Sequence, residues 1–182
     1  MQIPPALRGP LGSHSGYIKH IAIQNVLTHY WAKKKHEEDA NTSNQAKYEE
    51  LRLFLNAIES FNNILDYFYF EHEDQLNARH ATVESFRVAA HTKYDVLKKL
   101  ADLANAYKHC VRTRGKKKNT ELPQAKDLQR PALNVSIDLL NQSYPAVGVD
   151  YIFDWPIPEN EVVLRDAVDF WAANYYPMLL DA

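Results

Sequence analysis

A single cysteine, Cys110, and only five glycines stand in this chain of 182 residues, and each scarcity excludes a class of protein. One thiol cannot close an internal disulfide, so the chain reads as one that folds without covalent staples in a reducing compartment. Gly-x-Gly-x-x-Gly, the Walker loop, Cys-x-x-Cys and the nucleophile motifs are all absent. With so little glycine, a loop that cradles phosphate through its backbone is not expected. No apolar run approaches the roughly 20 residues that a membrane-spanning helix needs. The opening residues MQIPPALRGPLGSHSG carry two early prolines and no apolar stretch of signal-peptide length. A cytoplasmic protein with no membrane attachment and no cofactor is expected. Charge of one sign is also lacking: the net value of -2 argues against a chain coated for nucleic acid, although the average hides local clusters.

What is present is a 46% hydrophobic content, which for this length predicts one domain over residues 1–182 that buries roughly 70% of its unfolded surface. Residues 1–15 read as an irregular leader. Ser13 or Ser15 caps a helix running to about His36, with Ile18, Ile21, Ala22, Val26, Tyr30 and Trp31 on its apolar stripe. The clearest periodicity is Leu51, Phe54, Ile58, Phe61, Leu65 and Phe68, which predicts a long core helix over about 46–73. A third helix is predicted from Thr82 to Val111, burying Phe86, Ala90, Tyr94, Leu97, Leu100, Ala101, Ala104 and Tyr107. The fourth opens after Pro158 with Glu159 and Glu161 in its first turn, buries Leu164, Ala167, Val168, Trp171 and Tyr175, and ends by Pro177. Between the last two helices the period drops to two in LNVSIDL and VDYIFDW, which predicts a β-hairpin over 130–156. The expected fold is mainly all-α: a four-helix up-and-down bundle with a β-hairpin inserted between the third and fourth helices.

Charge is segregated along the chain. HEEDAN and YFEHED are acidic, whereas every charged residue from Lys108 to Lys118 is basic. Taking Asp102 as zero on a helical wheel, Asn105 falls at about -60°, His109 at about -20° and Arg112 at about -80°. Lys98, Asp95, His91, Arg87, Glu84 and His80 continue that side backwards. A solvated outer face accounts for such a row, with pairs such as Asp95 and Lys99 at helical spacing. What it does not account for is the ending NAYKH, which packs an amide, an ammonium and an imidazole into one turn before a basic loop. That constellation suits phosphate: Asn105 to orient an oxygen, His109 as general acid or base near a helix C-terminus, and Asp102 beside them. Lys108, Arg112, Arg114, Lys116, Lys117 and Lys118 supply the positive charge.

The long second helix, the third helix ending in a polar residue followed by His109, and the closing fourth helix resemble the HEPN superfamily (higher eukaryotes and prokaryotes nucleotide-binding domains). The resemblance implies an RNA- or nucleotide-phosphate-binding protein acting as a homodimer. It also implies weak metal-independent endoribonuclease chemistry of a bacterial defence or toxin–antitoxin type. The family motif is an arginine, four to six residues, then histidine. Here the arginine's places before His109 hold Asp102, Leu103 and Ala104, so Lys108 and Arg112 are left as phosphate partners. The chain's Arg-x5-His match, Arg8 to His14, falls in the leader without a helical scaffold.

Two other classes fit the same residues. A divalent-metal bundle would use Glu59 and Asp66 with His80 and Glu84, or with Asp102. None of the eight histidines follows a glutamate by three positions, and His29 with His36 is a weaker pair. A non-catalytic dimeric interaction module, or one that docks a protein partner, would use the aromatic surplus of FNNILDYFYF, Trp155, Trp171, Tyr175 and Tyr176.

Overall fold

The computed structural model describes residues 11–41, 43–108, 113–114, 117–118, 130–138, 146–154 and 158–173. Helix predominates among them. Ser13 is extended and its hydroxyl accepts from the Gly16 amide at 2.9 Å, which satisfies one of the orphan donors at a helix start. α1 (His14–Tyr17) therefore begins inside the expected leader, and runs through a π turn (Ile18–Ala22) into α2 (Ile23–Glu38). Tyr17, Ile18, Ala22 and Ile23 all keep helical dihedrals, so the three segments are continuous. The inward seam steps Ala22, Val26, His29, Lys33 and His36. Tyr30 and Trp31, expected on the apolar stripe, are instead 53% and 57% exposed, about 100° and 200° around the helix from His29.

Four uninterrupted helices were expected; the described residues form α1 to α8, with breaks that the periodicity does not show. Ser43 caps α3 (Asn44–Asn62) through the Ala46 amide, and α4 (Ile64–Glu71) follows after Asn63. At Asn63 the ladder tightens: the Asp66 amide donates to the Asn63 carbonyl three residues back, at 3.1 Å. Phe54, Ile58, Phe61, Leu65 and Phe68 are buried along this stretch and Leu51 packs at their margin. α5 (Glu73–Leu76) is a single turn. α6 (Val83–Lys93) starts with a reciprocal capping box between Thr82 and Ser85.

The predicted third helix is two helices. Tyr94 takes an extended conformation (φ -124, ψ 103) and α7 (Asp95–Lys108) restarts behind it, with Asp95 in its first turn. The Tyr94 ring packs edge-on against Phe170 at 5.2 Å, so tertiary packing holds the break. Val111 lies outside the described residues. α8 (Pro158–Ala172) buries Leu164, Ala167, Phe170 and Trp171; Tyr175 and Pro177 are likewise outside. One cluster of buried side chains joins α3, α4, α6, α7 and α8, with Phe68 at 6.0 Å from Phe86 and 6.4 Å from Trp171.

Two antiparallel strand pairs lie between α7 and α8. β1 (Thr113–Arg114) pairs with β2 (Lys117–Lys118) in the basic segment. β3 (Arg130–Asp138) pairs with β4 (Ala146–Asp154), in a register that sets Leu133 opposite Tyr151, Val135 opposite Val149 and Ile137 opposite Val147. Leu139 and Trp155, placed on these strands by the sequence pattern, are outside the described residues.

Candidate phosphate-binding cleft

The break at Tyr94 opens a cleft of about 590 Å³ on the α6–α7 surface, and Asp102 and Asn105 both line it. Heptad-like spacing along α7 puts Lys98 on the same wall, exposed, one turn before Asp102. Among the described residues, the histidine that shares this cleft is His91, from the last turn of α6. Its ring is half-buried and its Nε2 is shielded from solvent without a hydrogen-bond partner among the described residues. Burial pushes the His91 imidazole below its ordinary value and the Arg87 guanidinium pushes the same way, while the Asp102 carboxylate partly restores it. The ring is therefore held neutral near pH 7, with a carboxylate placed to steady the imidazolium if it forms.

On the helical wheel His91 falls about -20° from Asp102, within the row that a solvated outer face accounts for. A buried nitrogen without a partner is the feature that separates it from that row, and periodicity carries no sign of it. The row itself is partly as expected: Asp95 and Lys99 pair at 2.7 Å on the exposed side.

The other named residues are scattered. Lys108 points away from the cleft and its Nζ meets Glu59 Oε1 at 2.8 Å. Arg114, Lys117 and Lys118 lie in the β1–β2 pair, where the backbone alone is described. His109, Arg112 and Lys116 are outside the described residues, as is Arg8. His14 is not an unscaffolded leader residue: it is the first residue of α1 and 5% exposed.

The carboxylates offered for a metal are already engaged. Glu59 accepts from Lys108 and from the Asn63 amide at 3.2 Å. Asp66 takes a two-pronged contact from Arg87, at 2.6 and 2.8 Å. His80 is buried with its ring edge-on to Phe86 at 5.6 Å, and Glu84 is exposed. Among the described residues these groups do not converge into a three-ligand set with Asp102. His29 and His36 sit on the α2 seam among glutamates: His36 Nδ1 lies 2.7 Å from Glu50, and His29 Nε2 lies 3.8 Å from Glu161.

Comparison with family models, curated proteins and solved structures finds no match to this chain. Among the described residues no helix is long and apolar enough to cross a membrane.

Proposed function

We propose that the α6–α7 cleft binds RNA or a nucleotide through its phosphate and ribose, in a HEPN-like protein with weak metal-independent endoribonuclease activity. The observation that carries this reading is that His91, whose imidazole burial pushes below its ordinary value, lines one cleft with Asp102 and Asn105. A neutral imidazole is the general base that strand cleavage by a ribose 2′-hydroxyl requires. The 2′ oxygen attacks the adjacent phosphorus, its proton passes to His91, and the 5′ oxygen departs and is protonated by water. Asp102 steadies the imidazolium, Asn105 orients a phosphate or ribose oxygen, and Lys98 offsets phosphate charge. The basic segment from Arg112 to Lys118 attracts the strand without reading its sequence. In the same reading the helices form an up-and-down bundle with the β3–β4 hairpin as an insertion, acting as a homodimer.

Two measurements test it. Anisotropy of a labelled single-stranded RNA should show binding that weakens steeply with salt, and replacing Lys116, Lys117 and Lys118 by serine should flatten that slope. Cleavage of the same RNA should persist in EDTA and fall at least about a hundredfold in His91→Ala, the lower end of a general base's contribution. Absence of RNA binding at low salt sinks the reading. The exposed Leu27, Tyr30 and Trp31 on α2 favour a second one, a non-catalytic interaction module, in which wild type cuts no RNA under any condition.

A further inference from the structure

We propose that His14, Glu71 and His72 form a binding site for one divalent first-row transition-metal ion, held by two imidazole nitrogens and a carboxylate oxygen. One donor atom from each lies within 4.8 Å of the other two. Ligand atoms around such an ion, at roughly 2.0–2.2 Å from it, stand about 3.4 Å from one another, so small side-chain rotations close the set. The donors come from two distant parts of the chain: His14 opens α1, while Glu71 and His72 sit at the junction of α4 and α5.

The surroundings are those of a built site rather than a chance surface pair. The His14 backbone amide and its Nδ1 both lie 2.6 Å from Glu71 Oε2, so backbone as well as side chain fixes the carboxylate. Phe68 forms a shared apolar wall, with the His14 ring 5.1 Å away and the His72 ring 4.6 Å away. The two imidazoles are 5.6 Å apart, centre to centre. His72 has left the helical region (φ -111, ψ 19), which ends α4 at the ligand. A simple His14–Glu71 ion pair needs no second imidazole against it.

The donor set selects the ion. Mg²⁺ and Ca²⁺ prefer oxygen ligands throughout, whereas imidazole with carboxylate suits Zn²⁺, Co²⁺, Ni²⁺ or Fe²⁺. Three protein ligands leave at least one position for water. Binding displaces any proton on the nitrogens and ties the start of α1 to the α4–α5 junction, so metal affinity becomes folding stability. This site shares no residue with the α6–α7 cleft and does not depend on it.

The test uses the whole chain, stripped with a chelator and titrated with Co²⁺ and then Zn²⁺. The expected result is one equivalent of Co²⁺, seen by visible absorption, displaced by Zn²⁺ and not by Mg²⁺, with a melting temperature that rises with Zn²⁺. Glu71→Gln and His72→Ala should each weaken binding at least about tenfold. His72→Gln, close in size and polarity, keeps the comparison valid if the alanine variant fails to fold. No binding up to millimolar Zn²⁺ or Co²⁺, or affinity unchanged in these variants, overturns the proposal. Their RNA binding should match wild type, so failure here and failure of the cleft reading are separately visible.

Discussion

His91 shows how far one residue's chemistry depends on neighbours from other turns. Its folded value lies below the ordinary 6.5, chiefly through burial and then through Arg87. In the pH range between the folded and ordinary values, the unfolded chain binds more protons than the folded one, so stability falls as pH falls through that window and is complete above it. His72 is shifted the same way, burial first, and adds to the same loss. His91→Gln should therefore flatten the acid side of a stability–pH curve below about pH 6.5 without abolishing it. Arg87→Gln should raise the His91 titration point in an NMR titration and Asp102→Asn should lower it. Arg87→Gln also removes the contact to Asp66, a partly exposed pair worth up to about 1 kcal/mol. A His91 titration that ignores both neighbours means the cleft is not the electrostatic unit described.

Among the elements, the α6–α7 break is the one that makes the cleft, and Tyr94 is its pivot. The ring packs on Phe170, while its hydroxyl is shielded without a hydrogen-bond partner among the described residues. Removing an unpartnered hydroxyl costs little, whereas removing a packed ring leaves a cavity. Urea denaturation should find Tyr94→Phe within about 0.5 kcal/mol of wild type or more stable, and Tyr94→Ala weaker by about 2 kcal/mol or more. If the cleft binds RNA as proposed, Tyr94→Ala should also lower that affinity, because the two walls of the cleft meet there. Equal effects of the two substitutions would show that the hydroxyl, and not the ring, sets the break. The break escaped sequence reading because Ala90, Tyr94 and Leu97 continue the steps of four and three that an unbroken helix would show. Helical stripes record which residues are buried, and a break that preserves the burial pattern leaves them unchanged.

On the whole-molecule scale, α2 is the helix with the least apolar anchoring: His29 is its buried residue, and charge pairs carry much of its seam. Lys33 reaches both oxygens of Glu161, at 2.7 and 2.8 Å. His29 and Lys33 together hold the Glu161 carboxyl below its ordinary 4.5, against burial, and by distance Lys33 is the closer partner. That stabilisation is present above pH 4.5 and is lost as pH falls through the folded value. The opposite side of α2 exposes Leu27, Tyr30 and Trp31, with Lys34 Nζ 5.4 Å from the Trp31 ring centre. If a second copy covers this face, Trp31→Ser should leave thermal stability of the dilute protein unchanged and move the monomer–dimer balance toward monomer in sedimentation velocity. A wild type that stays monomeric at every concentration removes this face as a self-interface.

The sequence by itself determined that helix predominates, where the α3–α4 stripe from Phe54 to Phe68 is buried, and that the face bearing Asp102 and Asn105 turns away from the core. These follow from local periodicity, since a helix places residues three and four apart on one side whatever surrounds it. Only the tertiary structure set His91 in one cleft with Asp102 and Asn105, because the turn at Tyr94 re-aims α6 against α7. Packing likewise brought His14 to Glu71 across 57 positions, and gave Glu59 and Asp66 to Lys108 and Arg87. Such encounters depend on where separate helices cross, and a one-dimensional pattern does not encode the crossing.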